Sequence, residues 1–277
     1  MDLNWFESII YGFISGVAEF LPISSYAHQQ IFLHLIGCES RDPIRDLFVH
    51  IALLSSLYTS CRTMIGQIRR DRAAQLRRRQ FQYHNSRNLL DLKVVQNASI
   101  CMVLSMLLFS FIFKATQNLL SICFFLLLNG IVIFLSGRTL QGNKDARSMS
   151  FLDSFLIGVS GSLSCLPGMS RIGLTTTCAI SRGADKRFAL NWSLLISISA
   201  LILLCFTDFI SIFLLTGTLN VWGNLFTYGL SAISAYLGGY LSVLILKIVV
   251  ANYDFSKFAY YNWGSALFTF IIYLTVV

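Results

Sequence analysis

The chain has 277 residues, of which 55% are hydrophobic and only 12% are charged, whereas a soluble domain of this size is normally about 25% charged. A chain this apolar cannot cover its surface with polar side chains, so the expected solvent is a lipid bilayer and a soluble globular domain is excluded. The net charge of +8 would suit nucleic acid, but the excess lies in one segment without interleaved aromatic residues, so we expect no nucleic-acid partner.

Six continuous apolar runs predict full membrane-spanning helices, because about 20 apolar residues cross a bilayer. In chain order they are 47–65, 94–113, 119–135, 189–206, 225–250 and 260–277. Residues 67–93, after the first run, hold most of the excess positive charge, and the positive-inside rule predicts a basic cytoplasmic loop there. A second basic stretch, 137–150, is predicted to return to the same side.

Two further apolar regions are interrupted, the first at Pro22 and the second at Pro167 and Gly168. Proline removes a backbone donor and clashes with the preceding turn, so neither region forms one unbroken helix. The two regions match at a constant offset of 145 residues, and the shared residues are Ser15-Gly16, Leu21-Pro22 and Ser25 against Ser160-Gly161, Leu166-Pro167 and Ser170. Paired interrupted segments point to a binding site near the bilayer midplane, although two kinked helices without a ligand give the same pattern.

This match predicts one integral-membrane domain, 1–277, built from a first repeat of about 1–137 and a second of about 151–277. Non-helical backbone survives inside a membrane only where it is buried in protein or lines a cavity. Helix N-termini at such breaks carry free N–H groups and a positive dipole end, which suit an anion such as phosphate.

The first break places a carboxylate, two hydroxyls and an imidazole within ten residues: Glu19, Ser24, Ser25 and His28. Ionisable residues inside a membrane are costly and usually functional. Glu19 is predicted to hold a divalent metal or to act as a base, Ser25 to position phosphate or attack it, and His28 to transfer a proton. The alternatives are a helix-end pairing for Glu19 and an interfacial position for His28.

The second break offers the complementary cation. Gly168 lets backbone approach an anion, the guanidinium of Arg171 binds phosphate oxygens through paired donors, and Ser170 and Thr175 add hydroxyls. The alternative for Arg171 is a side chain that extends to the membrane surface. The second break supplies the cation, and the first break supplies the carboxylate and hydroxyls. Together these groups predict a phosphoryl-transfer site.

These motifs resemble those of a known family. The segment Gly16-Val-Ala-Glu19-Phe-Leu-Pro22-Ile-Ser24-Ser25-Tyr-Ala-His28 resembles the EFLPxSSxGH signature of the undecaprenyl-diphosphatase (bacitracin-resistance) family, and Pro167-Gly-Met-Ser170-Arg171-Ile-Gly-Leu-Thr175 resembles its PGxSRSxxT signature. The similarity in length and helix pattern covers nearly the whole chain. Three positions depart from the signatures: Ser15 stands where the family has Glu or Gln, Ala27 replaces a glycine, and Ile172 replaces a serine.

The resemblance implies an all-α polytopic membrane fold of about six full transmembrane helices and two re-entrant helix-loop-helix pairs in inverted repeats. It implies hydrolysis of undecaprenyl diphosphate to undecaprenyl phosphate and inorganic phosphate, helped by a divalent cation, Mg²⁺ or Ca²⁺. The matching residues are Glu19, Ser25, His28 and Arg171 for catalysis, Glu19 for the metal, and Ser24, Gly168, Ser170, Arg171 and Thr175 for the phosphates.

The expected location is the bacterial plasma membrane, with the site facing the extracytoplasmic side, a role in peptidoglycan synthesis and a bacitracin-resistance phenotype. The expected partners are the polyprenyl diphosphate and membrane lipids, with a homodimer left open. A flippase or transporter for a lipid phosphate or small anion is the alternative from another class, because paired breaks suit alternating access equally well. A weakly active family member is the third interpretation. The sequence leaves open whether Ser25 or water is the nucleophile.

Overall fold

The computed structural model describes residues 3–38, 41–78, 87–112, 118–139, 142–145, 148–216 and 224–276. Within these ranges the chain forms ten α-helices and no β-strand, which confirms the all-helical prediction. The helices are α1 (Trp5–Phe20), α2 (Ser25–Leu35), α3 (Pro43–Arg78), α4 (Arg87–Ile112), α5 (Leu119–Ser136), α6 (Phe151–Ser162), α7 (Arg171–Ser181), α8 (Lys186–Thr216), α9 (Leu225–Asn252) and α10 (Phe258–Val276).

Three helices in the described ranges are long and apolar enough to cross a membrane by length and composition, and they cover Leu119–Ser136, Lys186–Leu214 and Leu225–Asn252. The other three predicted spans fall on α3, α4 and α10, apart from residues 113 and 277, which lie outside the described residues. The expectation of a loop at 67–93 is corrected at both of its ends, because α3 continues to Arg78 and α4 begins at Arg87; residues 79–86 lie outside the described residues. Arginine is a good helix former, so the basic sequence extends these helices.

Both interrupted regions form two helices joined by a non-helical break. Asn4 begins α1 with a capping box in which its side chain pairs with Glu7, and Pro22 follows soon after the helix ends. Ser150 begins α6 in the same way with Asp153, and a short 3-10 turn, Leu163–Cys165, leads into Pro167. Local capping and proline therefore fix where each region starts and stops.

The helix before the first break packs parallel to α9 at close range. Gly12 lies against Ser231, and one turn later Gly16 lies against Ala235. A Cβ at either glycine would meet the backbone of α9, so the absence of a side chain lets the two helices approach. Small residues at such contacts are typical of helix pairs in membranes.

The helix before the second break packs parallel to α4. Gly158 lies against the carbonyl oxygen of Ala98, and two turns later the thiol of Cys165 donates to the carbonyl of Met106 (3.7 Å). The ten helices divide into a first set, α1–α5, and a second set, α6–α10. The first helix of each set packs on the fourth helix of the other set, since α1 contacts α9 and α6 contacts α4. The long helices α3 and α8 contact each other, as do α5 and α10.

Large apolar side chains cover the outer surface of the helices. Leu104 on α4, Leu214 on α8, Phe226 on α9 and Leu274 on α10 are all more than 60% exposed. Soluble monomers rarely expose contiguous apolar surface on this scale. The surface therefore agrees with a helical membrane protein whose solvent is lipid.

Candidate functional site

Two buried asparagines join the two breaks. The Oδ1 atom of Asn129 in α5 accepts from the N–H of Ser170 (3.0 Å), and its Nδ2 donates to the carbonyl of Pro22 (3.3 Å). Asn262 in α10 donates to the same carbonyl (2.9 Å) and accepts from Asn129 (2.8 Å). The amides satisfy backbone groups that lack helical partners at the breaks. Sequence reasoning missed both residues, although an amide within an apolar helix was the available signal.

Serine hydroxyls begin both helices that follow the breaks. Ser24 caps α2 by accepting from the N–H of Ala27, and Ser170 caps α7 by accepting from the N–H of Gly173. The capping serines are therefore 146 residues apart, one more than the prolines, because the second break has one more residue. By structural role Ser170 matches Ser24, whereas the sequence alignment paired it with Ser25.

A cavity of about 420 Å³ opens beside the breaks. One wall carries Glu19 and Ser25 from the first broken region and Ser170 and Arg171 from the second. Four of the predicted site residues are therefore brought together. The N-terminal turns of α2 and α7 both begin at this wall, so two positive helix ends face the same space.

Glu19 and Arg171 form an ion pair across the two broken regions. Only 10% of the Glu19 side chain and 5% of the Arg171 side chain are exposed. The pair occupies one guanidinium nitrogen, while the buried Nε of Arg171 has no hydrogen-bond partner among the described residues. An orphaned buried donor is costly, so the guanidinium has unused capacity for an anion in the cavity.

The hydroxyl of Ser25 lies within a small polar network. It donates to the carbonyl of Ser15 (3.3 Å) and accepts from Nε2 of Gln29 (3.4 Å). Gln29 also donates to the hydroxyl of Ser15 (2.8 Å), which in turn donates to the carbonyl of Tyr11 (2.6 Å). Ser15, which replaces the carboxylate or amide of the family signature, is fully buried under Gln29.

Three other predicted site residues do not line the cavity. Ser24 is buried at the cap of α2 with φ +67°, and Thr175 lies one turn behind Arg171, where its hydroxyl donates to the carbonyl of Arg171 (2.8 Å) and contacts that of Ser193. Gly168, at φ +112°, packs against the backbone of α5, where a Cβ would lie 2.8 Å from the carbonyl oxygen of Ile122. Their predicted phosphate-binding roles stay predictions.

His28 also lies away from the cavity, on a different face of α2. Its Nδ1 is 2.8 Å from the carbonyl of Ser24, and its Nε2 is 3.0 Å from the hydroxyl of Tyr261 in α10. The imidazole stacks on the Tyr261 ring with centroids 5.7 Å apart. Both ring nitrogens are engaged, so the acid/base role predicted for His28 would require the ring to leave these partners.

The cavity lining also carries a charged group that the sequence analysis did not select. Asp46 accepts from the hydroxyl of Tyr11 (2.7 Å) and pairs with Arg41 (2.9 Å), which also donates to Gln29 (3.2 Å). Burial is the largest single effect and disfavours the charged guanidinium, but Asp46 together with Tyr11 and Tyr26 outweighs it and raises the pKa of Arg41 above its usual value. A fixed cation thus lies at the cavity edge. Asp208 and His50 also line the cavity.

Within the described part of the chain, no group of three or more His, Cys, Asp or Glu side chains is arranged to hold a metal ion. Glu19 is the carboxylate beside the breaks, and it already faces Arg171. Mg²⁺ is commonly held by one or two carboxylates together with substrate phosphates and water. The donor set therefore fits a cation that arrives with a phosphorylated ligand.

Fold and site define an all-helical membrane protein with a carboxylate–guanidinium pair and two helix N-termini at one polar cavity. Residues 8–268 match the family described as Bacitracin resistance protein BacA, and the chain belongs to this family. It is 29% identical over 266 residues to an undecaprenyl-diphosphatase of Thermosipho melanesiensis, covering 95% of this chain and 98% of the relative. It is 24% identical over 282 residues to undecaprenyl-diphosphatase 3 of Bacillus cereus, covering 99% and 100%.

Proposed function

We propose that the protein hydrolyses undecaprenyl diphosphate to undecaprenyl phosphate and inorganic phosphate. The observation that carries the proposal is the buried Glu19–Arg171 pair, in which Nε of the guanidinium has no hydrogen-bond partner in the part of the chain that the structure describes. Membership of the BacA family and the names of the relatives support it. The product is the carrier lipid in the form that cell-wall synthesis reuses, so we expect the protein to contribute to bacitracin resistance.

A diphosphate brings concentrated negative charge, and a buried anion is stable only when it is paired and hydrogen-bonded. Arg171 supplies the charge, the N-terminal turns of α2 and α7 supply N–H donors, and Arg41 supplies a second cation at the cavity. The Ser170 hydroxyl, which donates to the carbonyl of Leu21 (3.3 Å), would add a donor by turning toward the substrate. Donors that are already fixed in place stabilise the charge that develops during phosphoryl transfer. Either the hydroxyl of Ser25 or a water held in the cavity attacks the terminal phosphorus.

We propose further that a divalent cation, Mg²⁺ or Ca²⁺, accompanies the substrate and is held by Glu19. When bound, the cation would neutralise charge on the phosphate oxygens. The carboxylate of Glu19 would then have two partners, the divalent cation and the guanidinium of Arg171, and would hold both of them beside the cavity. Ser15 supplies no carboxylate one turn earlier, so Glu19 would be the single protein carboxylate at this position.

We propose that α3, α4, α5, α8, α9 and α10 cross the membrane and that α1–α2 and α6–α7 are re-entrant pairs entering from opposite sides. The reciprocal packing of α1 on α9 and α6 on α4 supports inverted repeats of about 1–137 and 151–277. Along α3, Asp46 and Arg69 are separated by about 35 Å at 1.5 Å per residue, slightly more than the roughly 30 Å hydrocarbon core. The positive-inside rule assigns the arginine end to the cytoplasm, so the cavity end faces outward in the bacterial plasma membrane.

The test is phosphate release by purified protein in detergent, with undecaprenyl diphosphate as substrate and with Mg²⁺, Ca²⁺ or chelator. We expect release of one phosphate per substrate and its loss in chelator. A transporter would instead move phosphate or lipid phosphate across liposomes without cleaving undecaprenyl diphosphate. Transport without hydrolysis would overturn the proposal.

A further inference from the structure

The cavity lining also holds a histidine–carboxylate pair. Nδ1 of His50 in α3 lies 2.5 Å from Oδ2 of Asp208 in α8. The side chains are only 10% and 17% exposed, and both line the cavity. The two residues are 158 positions apart in the chain, so the packing of α3 on α8 creates the pair.

The geometry leaves one nitrogen of the ring available. A carboxylate next to Nδ1 favours the tautomer that carries its proton there and leaves a lone pair on Nε2. Among the described residues, the His50 ring has no hydrogen bond besides the one to Asp208. His28 differs, because both of its nitrogens have partners and its ring stacks on Tyr261 outside the cavity.

The neighbouring Asp46 carboxylate, one turn before His50, has a hydrogen-bond partner and an ion-pair partner apart from this pair, namely Tyr11 and Arg41. Asp208 lies in an apolar helix, where an ionisable residue is costly and usually functional. His50 is its ion-pair partner among the described residues.

The His50–Asp208 pair lies at nearly the same depth along the helices as Glu19. Phe20, next to Glu19, and Leu53, three residues after His50, both lie at Gly239 of α9. Since α1 and α3 each run parallel to α9, His50 lies about 3 Å along the helix axis from the level of Glu19, at 1.5 Å per residue. A group bound by Arg171 and extending into the cavity therefore lies at nearly the same depth as His50.

We propose that His50 is the general base of the hydrolysis and that Asp208 is its positioning residue; this inference rests on the proposed function. Nε2 of His50 takes the proton from the attacking water or from the Ser25 hydroxyl. The freed oxygen forms a bond to the terminal phosphorus, and the bridging P–O bond breaks with its electron pair going to undecaprenyl phosphate. Attack by water gives inorganic phosphate directly, whereas attack by Ser25 gives a phosphoserine, whose P–O(Ser) bond is then cleaved by a water that His50 deprotonates, with the proton returning to Ser25. Asp208 holds the tautomer and stabilises the imidazolium that forms.

The experiment compares His50→Gln, Asp208→Asn and Asp208→Glu with wild type in the phosphate-release assay, normalised to protein recovered as a single size-exclusion peak. Loss of a general base lowers kcat by about 100- to 10,000-fold, so we expect this loss in His50→Gln with KM unchanged. Asp208→Asn should also lose kcat, and Asp208→Glu should recover part of it. His34→Gln on α2, which lies away from the cavity, is the matched control and should keep wild-type activity.

Chemical rescue keeps the test decisive if a variant folds poorly. In His50→Ala, added imidazole should restore phosphate release by occupying the vacated space, whereas a structural defect would not respond. Near-normal kcat in His50→Gln, or imidazole rescue confined to His28→Ala, would overturn the proposal and return the role to His28. Absence of hydrolysis by the wild-type protein would overturn the proposed function itself and this inference with it.

Discussion

At the residue scale, the site depends on side chains whose geometry matters more than their charge. Arg171 has one nitrogen paired with Glu19 and another without a described partner, which is an arrangement that a planar guanidinium permits and a point-like ammonium does not. Ser15 shows the opposite case, in which a departure from the family signature is accommodated by its neighbours. Its hydroxyl and Gln29 fill the position that a longer carboxylate would occupy.

Arg171→Lys tests the guanidinium. We expect kcat to fall by about 100- to 1000-fold, as when one charge-stabilising donor is removed, while the protein still inserts and folds. The measurement is specific activity per folded protein after size-exclusion chromatography. Arg182→Lys at the end of the same helix, where Arg182 pairs with Asp153, is the control and should retain activity. Near-normal turnover in Arg171→Lys would mean that the guanidinium does not hold the phosphate.

Ser15→Glu tests whether a second carboxylate strengthens cation binding. Because Ser15 is fully buried under Gln29, the single variant should unfold at a lower temperature. The double variant Ser15→Glu with Gln29→Ala has room for the longer side chain and should need less Mg²⁺ for half-maximal activity. A titration of activity against Mg²⁺ measures this, and an unchanged requirement in the double variant would show that position 15 is not a ligand.

At the element scale, the breaks are held by backbone contacts as much as by proline. Asn129 and Asn262 connect both breaks to α5 and α10, and Gly168 lets the second break lie against α5. Ser24 adopts a positive φ that side chains other than glycine rarely take. Such strain persists only where the surroundings enforce it, which here are the caps and the asparagine pair.

Gly168→Ala tests the contact between the second break and α5. A Cβ there would lie 2.8 Å from backbone atoms of Ile122 and Leu126 at φ +112°, so we expect the free energy of unfolding to fall by about 1–3 kcal/mol. Thermal unfolding in detergent measures the loss. Gly264→Ala in α10 is the control, because an added Cβ meets nothing within 4 Å there. Equal stability of the two variants would contradict a tight contact at Gly168.

At the scale of the whole molecule, charge separates the two ends of the helices. The end that holds the cavity carries Asp42, Asp46 and Asp208 with Arg41 and Arg45, so its charges nearly balance. The other end carries the arginines of late α3 together with Arg182, Lys186 and Arg187. Positive charge retained in the cytoplasm fixes the orientation of the helices during insertion. The cavity lies at the opposite end of the helices and therefore faces outward.

Cysteine labelling tests the orientation. In a background whose seven cysteines are replaced, Arg70→Cys should react with a membrane-impermeant maleimide only after the cells are permeabilised, because α3 carries it to the cytoplasmic end. Leu35→Cys, at the end of α2 and 57% exposed, should react in intact cells. Labelling of Arg70→Cys from outside would invert the proposed topology and place the cavity on the cytoplasmic side.

The sequence by itself determined the membrane class, the helices and the two breaks. These features depend on local chemistry: a long apolar run requires lipid, and proline with a capping serine stops and restarts a helix wherever it occurs. The short-range motifs also identified Glu19 and Arg171, because each is an isolated charge beside a break. Such signals are contained within a few residues of the chain and need no knowledge of its path.

The paired breaks predicted that Glu19 and Arg171 share one site, whereas the tertiary structure alone showed their direct ion pair and the other side-chain pairs. Glu19 and Arg171 are 152 residues apart, His50 and Asp208 are 158 apart, and Asn129 reaches both breaks from a third helix. His28 was selected by its motif, yet the rotation of α2 turns it toward Tyr261. No local pattern encodes these pairings, because the packing of helices against one another sets their rotation and depth, and a change of one helical position moves a side chain about 100° around its axis.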